Sequence, residues 1–468
     1  MWTKPWTMRE GFIVGAGLII AGLMLELSVG PVVWDAFRWP VNGLLLAGFL
    51  STVVLVYLLR KKVYAFQFMG TYRAAIPTLL YAALLTVVMG LTRQVVNGTW
   101  IYNMLTFWPF VLVYVFMTVC VGQVVIRQLR RPRWSLLAHL GLFVALTTAT
   151  LGSADMQRVK MITAVGEPEW RALDLRGAVH EMPLAIELKR FIMETYDNGS
   201  PRRYASEIQV LTKSGKNIMA TIDVNKPIEV DGWKIYQYGY DTQMGPMSQT
   251  SILELISDPW LPAVYIGIYL MLASAVCMLL SGLRRKTSVR WNTRNILLMV
   301  LLLAVAFTAV YFFMSALRAK NLMPALQSPW FKPHVIAYIF AYSLLGASAV
   351  IAVVGLFRRW NNPAQLGITD GLVYVGLAFM TVGMLFGALW AKEAWGHYWS
   401  WDPKETWAAI TWLAYLVYVH YRQMPTHRPQ LALWVLVVSF VLLQMCWWGI
   451  NYLPAAQGSS VHVYGQQV

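Results

Sequence analysis

Gly11-Phe12-Ile13-Val14-Gly15-Ala16-Gly17-Leu18-Ile19-Ile20-Ala21-Gly22-Leu23-Met24-Leu25-Glu26-Leu27-Ser28-Val29 holds a single ionisable side chain. A run of this length and polarity reaches the roughly 20 residues that a helix needs to cross hydrocarbon. It exceeds the usual core of a cleaved targeting segment and lacks a small-x-small cleavage site, so it reads as a retained anchor. Further apolar stretches start near Val41, Ala75, Phe107, Ser135, Pro259, Asn295, Pro333, Gly371, Thr406 and Leu431. Backbone polar groups in lipid must be satisfied within their own segment, which makes these stretches helices. The fold class is a polytopic α-helical membrane protein of about 11 transmembrane helices. Composition agrees: 58% hydrophobic and 13% charged residues exclude a soluble globule.

One polar segment interrupts the helices, from Gly152 to Asp258, and divides the chain into a transmembrane region 1–151, a small β-rich domain 152–258 and a second transmembrane region 259–468. Glu207-Ile208-Gln209-Val210-Leu211-Thr212 alternates, Lys213-Ser214-Gly215-Lys216 turns, and Ile218 to Val224 returns, which is a hairpin signature. Asp231-Gly232 is a second turn leading into the alternating run Trp233 to Tyr238. The segment holds 12 basic and 15 acidic residues, so it is nearly neutral.

Lys and Arg set the orientation. With the N-terminus inside, 19 basic residues of the termini and short loops fall on the cytoplasmic face and only seven on the other. This places the C-terminus and the β-rich domain outside. The net charge of +16 thereby marks a membrane face. It does not mark nucleic-acid binding, because no basic run interleaves with aromatics in a soluble segment. Cys120, Cys277 and Cys446 each sit alone in an apolar span, so the chain has no thiol pair for redox work.

Six of the 22 tryptophans fall between Trp390 and Trp412, and residues 395–407 read Trp-Gly-His-Tyr-Trp-Ser-Trp-Asp-Pro-Lys-Glu-Thr-Trp. So many indoles in a polar setting imply a flat aromatic shelf at the membrane edge, serving either lipid or a planar ligand. Asp402-Pro403 with Glu405 reads first as a capping box that starts the next helix, and Asp258-Pro259 carries a similar signal.

Four of the seven histidines stand out. His334, after Pro333, and His462, in the C-terminal tail, lie on the outer face with the tryptophans, while His139 and His420 lie in spans near the inner face. Ionisable groups in spans are costly and mark functional sites by default, although a neutral imidazole can also simply bond a helix carbonyl. Two histidines from separate helices, without carboxylates or thiolates, suit a six-coordinate haem iron better than zinc. His397, inside the shelf, is a rival outer ligand. Lys392, Lys404, Lys332, Lys320 and Arg318 line the outer loops as possible partners for haem propionates. His180 and His427 read as solvated surface.

The segment Trp395 to Glu405 resembles the tryptophan-rich WWD signature of the haem-handling proteins of cytochrome c biogenesis. Ser328-Pro329-Trp330-Phe331-Lys332-Pro333-His334-Val335 and Gly449-Ile450-Asn451-Tyr452, leading to His462-Val463-Tyr464-Gly465, resemble the two external-histidine segments of the System II cytochrome c synthase. Ala138-His139-Leu140-Gly141-Leu142, Val224-Asn225-Lys226-Pro227, Asp231 to Gln237 and Asp258-Pro259-Trp260-Leu261 resemble the ResB or CcsB subunit, fused ahead of it. Five spans precede the β-rich domain where about three are expected, and the domain is compact.

The resemblance implies a bacterial inner-membrane enzyme, a holocytochrome c synthase of haem-lyase type. Haem b, as substrate and bound ligand, enters at His139 and His420 and is held outside by His334 and His462. Trp395, Gly396, Trp399 and Trp401 hold its face, with Asp402 in the same segment. The implied partners are an apocytochrome c with a CxxCH motif, an extracytoplasmic thioredoxin-like thiol reductant and membrane lipid. A dihaem b-type electron carrier using the same four histidines is the alternative, and a transporter or scaffold with an interfacial tryptophan belt is a third.

Overall fold

The computed structural model describes residues 2–130, 135–284, 293–319 and 321–456. The N-terminal bundle contains α1 (Met8–Val29), α2 (Val41–Leu59), the short α3 (Tyr64–Met69), α4 (Tyr72–Leu91), α5 (Trp108–Arg130) and α6 (Leu136–Gly152). After the sheet come α7 (Leu261–Arg284), α8 (Thr293–Ala319), α9 (Phe331–Phe357), α10 (Gly367–Trp395), α11 (Pro403–Arg422) and α12 (Pro429–Trp447). Helices stand at all the expected positions, and α3 is an addition.

Among the described residues, nine helices are long and apolar enough to cross a membrane. The two that fall short are α6, with 17 residues, and α11. α11 is less apolar because it is interior to the bundle: Thr406, Thr411, Tyr415 and Tyr418 are all buried on it.

Local chemistry sets the helix starts. Thr7 caps α1, with Glu10 reaching back to the Thr7 amide at 2.7 Å in a capping box. Pro429 sits in the first turn of α12, where its missing N–H costs nothing. The signal at Asp258-Pro259 works differently from the expected cap. α7 starts at Leu261, and the Asp258 carbonyl accepts the Leu261 amide at 3.3 Å in a turn. The chain needs those residues to swing from the last strand into the bundle.

The polar segment folds as one antiparallel sheet of eight strands: β1 (Gln157–Ala164), β2 (Pro168–Asp174), β3 (Val179–Thr195), β4 (Pro201–Thr212), β5 (Asn217–Asp223), β6 (Ile228–Val230), β7 (Trp233–Tyr240) and β8 (Thr250–Ser257). Their order is β5-β4-β3-β2-β1-β8-β7-β6, so β8 returns beside β1 at the root of the domain. Met161, Ile186, Leu188, Ile208, Val210, Ile235, Leu253 and Leu255 form its buried core.

The β4–β5 hairpin turns where the sequence signalled. Asp231 and Gly232 join β6 to β7 with φ of 46° and 81°, the left-handed pair that a two-residue turn requires.

Asp155 fastens the junction between sheet and bundle. Its carboxylate accepts the Trp39 amide at 2.8 Å, Asn42 Nδ2 at 2.7 Å and Trp260 Nε1 at 2.7 Å, tying α2 to the start of α7. Burial alone pushes this carboxyl up, but the three donors outweigh it and hold it below its ordinary value. Asp155→Ala leaves those donors unmatched and is expected to cost about 1.5–3 kcal/mol, the range for a hydrogen-bonded charged group. Thermal unfolding of the purified variant checks this, and an unchanged midpoint would show that the junction does not depend on Asp155.

Candidate functional site

The Trp-rich segment lies on the same side of the bundle as the sheet. α10 ends on Gly396 in the left-handed conformation, φ 76°, and a Cβ there would lie 2.3 Å from Ile256 Cδ1 and 3.1 Å from the Tyr236 ring. Lys392 Nζ donates to the Gly396 carbonyl at 2.9 Å and is buried. This uses Lys392 as the cap of α10 and removes it from the free cations of the outer loops. Asp258 lies close enough to Lys392 to feel its charge: burial pushes the Asp258 carboxyl up, and Lys392 partly pulls it back down.

The capping box starting α11 is present. Asp402 accepts the Lys404 amide at 2.9 Å, and Glu405 Oε2 accepts the amides of Asp402 at 3.1 Å and Ser400 at 2.8 Å. Asp402 is buried. Trp401, immediately before it, has φ 57°, a left-handed conformation that costs a bulky residue of order 1–3 kcal/mol.

The tryptophans do not make one flat shelf. Trp399 meets Trp401 at 89° with centroids 5.8 Å apart, and Trp401 in turn sets its edge against Phe110 and Tyr114 of α5 at 6.1 and 6.5 Å. Trp395 packs on Trp390 at 5.0 Å and 51°. The segment is therefore an angled aromatic wall, because the left-handed turn at Trp401 rotates its ring away from that of Trp399.

His334 belongs to the Trp390 end of this wall. Its ring lies 5.7 Å from Trp390 and 5.0 Å from Tyr338, and Nδ1 is 2.8 Å from the Gly383 carbonyl. A carbonyl only accepts, so Nδ1 carries a proton, and in the neutral ring the lone pair is then on Nε2, the form a metal ligand needs. Gly387 makes room: a Cβ there would lie 2.8 Å from both Cε1 and Nδ1 of His334. Glu393 holds the preceding loop by accepting Ser328 Oγ at 3.0 Å and Trp330 Nε1 at 2.8 Å. His397 is buried within the segment. His462 and Lys320 lie outside the described residues.

On the far side of the bundle, α6 and α11 bring His139 and His420 together with ring centroids 6.3 Å apart at 85°. Nδ1 of His139 donates to the Ser135 carbonyl and Nδ1 of His420 to that of Leu416, each at 2.8 Å. Both rings therefore carry their lone pair on Nε2. Among the described residues no group of three or more His, Cys, Asp or Glu gathers as a metal site. Two neutral imidazoles alone fit an iron whose equatorial positions a macrocycle fills, and do not fit zinc.

A buried ion pair sets the rotation of α11. Arg422 donates to both oxygens of Asp370 on α10, at 2.8 and 2.7 Å, and Tyr418 Oη donates to Asp370 at 2.8 Å. Tyr418 and Arg422 lie four apart on one face of α11. His420, two residues from each, is turned to the opposite side, toward α6. Arg422 also bonds His427, which is half-buried in the loop after α11 and is not the solvated residue expected. His180 is the surface residue expected, paired with Asp174 at 3.0 Å.

Sequence reading missed Asp370, Tyr338, Trp390 and the Gly383-x-x-x-Gly387 pair. Only the last had a signal, the small-xxx-small spacing that lets membrane helices approach closely.

Two family models match successive parts of the chain: one described as ResB-like family over residues 133–252, and one described as cytochrome C assembly protein over residues 262–456. Curated relatives carry the name cytochrome c biogenesis protein CcsA. The protein of Chlamydomonas reinhardtii is 36% identical over 159 residues, 32% of this chain and 44% of that protein. Those of Guillardia theta and Prochlorococcus marinus (strain AS9601) are each 32% identical, over 35% of this chain and 63% of theirs. The chain thus spans 44% to 63% of the length of these relatives.

Removing one partner of the Asp370–Arg422 pair strands a buried charge, so Arg422→Met is expected to cost about 3–5 kcal/mol, whereas Asp370→Leu with Arg422→Met is expected to recover most of it. Thermal unfolding of the single and double variants reads the difference. Additive losses would show that the pair is not coupled.

Proposed function

Because the chain joins a ResB-like region to a cytochrome c assembly region and belongs with the fused System II cytochrome c biogenesis proteins, we propose that it moves haem b across the membrane and attaches it to an apocytochrome c bearing CxxCH. The observation that carries this reading is the pair His139 and His420. One lies in each matched region, on separate helices, yet their rings are 6.3 Å apart. A fusion protein that holds a metal-binding pair across its own join fits a shared haem-handling task.

In this reading haem is cargo. The membrane is then a bacterial inner membrane, with His139 and His420 toward the cytoplasm and the sheet, His334, His462 and the Trp wall outside, an orientation that the positive-inside distribution supports. His139 and His420 receive the haem iron, and His334 with His462 ligates it on the sheet side. Trp395, Gly396, Trp399 and Trp401 confine the macrocycle, while Asp402 and Glu405 keep that segment in place. His397 is a secondary candidate ligand.

The chemistry asked of the site is addition. Each apocytochrome thiol adds across one vinyl group, its sulfur bonding one carbon and a hydrogen the other, so no atom leaves. The protein contributes position, worth about 7–11 kcal/mol where reacting groups are held near attack geometry. The three cysteines each stand alone in an apolar span and offer no thiol pair, so in this reading a separate thioredoxin-like reductant keeps the substrate thiols free.

Expression of the chain with a CxxCH apocytochrome, in cells lacking other maturation machinery but supplied with reductant, is expected to yield covalent haem. His334→Ala and His462→Ala are each expected to lower that yield at least tenfold while haem remains at the other pair. His139→Ala and His420→Ala should empty the sheet-side site as well. Covalent haem absent from wild type, with haem still bound, would favour the dihaem electron carrier. A purified protein without any haem absorption would leave only the scaffold.

A further inference from the structure

The turn between β2 and β3 carries a residue that water does not favour there. Residues 174–177 read Asp-Leu-Arg-Gly, with the Gly177 amide donating to the Asp174 carbonyl at 3.0 Å and Gly177 at φ 83°. Solvated turns draw on Gly, Pro, Asn, Asp and Ser. Leu175 nevertheless stands 58% exposed at this tip, and Val179 just beyond it is 62% exposed. Leu173 is the ladder partner of Val179, so these two apolar side chains lie on one face of the hairpin.

Arg176 fixes where the tip sits. It reaches Asp35, in the connection between α1 and α2, at 3.4 Å. That connection joins two membrane helices and packs Trp34, Phe37 and Trp39 into six residues, the composition of an interfacial aromatic belt. Trp39 is 71% exposed, and its ring lies over the first turn of α2, where a Cβ on Gly43 would meet it at 2.6 Å. Leu44, next along α2, is exposed on the lipid-facing surface. The hairpin tip therefore stands at the level where the helices leave hydrocarbon.

The charge at this level is positive. Arg38 also bonds Asp35, at 3.3 Å, so two exposed guanidiniums share one carboxylate. Asp174, the acid of the turn itself, is occupied by the amides of Arg176 and Ala178 and by His180. Exposed apolar side chains beside surplus guanidinium, at the height of the helix ends, match the acyl boundary and the phosphate of a phospholipid.

We propose that the β2–β3 hairpin is a membrane foot of the sheet: Leu175 and Val179 enter the acyl boundary of the sheet-side leaflet, and Arg38 and Arg176 bind phospholipid phosphates there. The sheet is then held by the bilayer as well as by the bundle.

The full chain with Cys120→Ala, Cys277→Ala and Cys446→Ala is given a single nitroxide label at Leu175→Cys, Val179→Cys, Leu44→Cys or Ser214→Cys. Each protein is placed in nanodiscs of phosphatidylcholine and phosphatidylglycerol, and the ratio of label collisions with oxygen to those with a water-soluble nickel chelate is measured. Residue 44 marks hydrocarbon, and residue 214, in the exposed β4–β5 turn, marks water. Labels at 175 and 179 are expected to give ratios at least fivefold above that at 214. Ratios equal to that at 214 would overturn the proposal and leave the tip for a soluble partner. Arg38→Gln with Arg176→Gln is expected to lower the ratio at 175 at least twofold while that at 44 is unchanged. An unaltered ratio at 175 would overturn the phosphate contact.

Discussion

The close approach of α9 to α10 is the constraint on which the sheet-side site depends. Lipid is as apolar as leucine, so membrane helices gain little from merely hiding apolar side chains from one another; small residues and hydrogen bonds hold them instead. α10 supplies Gly376 against Leu345, Gly383 against Tyr338 and Gly387 against His334. The same contact orients the imidazole, since the ring reaches the Gly383 carbonyl only where no side chain intervenes. Packing and tautomer are thus set by a single surface. The Trp390 ring, which closes over His334, is itself pinned by its Nε1 donating to the Ala325 carbonyl at 2.8 Å.

The far-side pair depends on a different device. α6 and α11 are distant in sequence, and His420 faces His139 only because α11 is rotated and seated correctly. The Asp370–Arg422 pair sets the rotation at one end. At the other, Trp407 Nε1 donates to the Gly90 carbonyl at 3.3 Å, fixing α11 against α4, where Gly90 permits the indole to approach. The N-terminal helices are therefore part of the scaffold of the histidine pair.

What was legible in the sequence followed the range of the interactions. Helix positions came from hydropathy and the capping box at Asp402 and Glu405 from a three-residue spacing, and both are present. The turn at Asp231-Gly232 was equally local. In β3 the register shift between Leu188 and Arg190 breaks the alternation that runs from Met182 to Leu188, so the length of that strand to Thr195 could not be read from its pattern. The angle between Trp399 and Trp401 was hidden because it arises from the positive φ of one tryptophan, a conformation the residue type disfavours. Burial of Lys392 was hidden too, since a lysine near a helix end reads as a surface charge until its carbonyl partner is known. That His139 and His420 meet depends on a contact across 281 positions: their similar depth on two helices suggested the pair, but no local signal carried the contact.

The sheet does more than stand above the bundle. Tyr196 Oη donates to the Leu322 carbonyl at 3.1 Å, Asn225 Nδ2 to that of Pro324 at 2.8 Å, and Gln327 Nε2 to that of Arg202 at 2.8 Å. Three polar bonds of this kind are a weak basis for association between separate chains. Carried on one polypeptide, with Asp258-Pro259-Trp260 as the only link between β8 and α7, the same contacts form at the high effective concentration of a short tether. These contacts leave the segment before His334 held to the sheet by bonds that are individually easy to break.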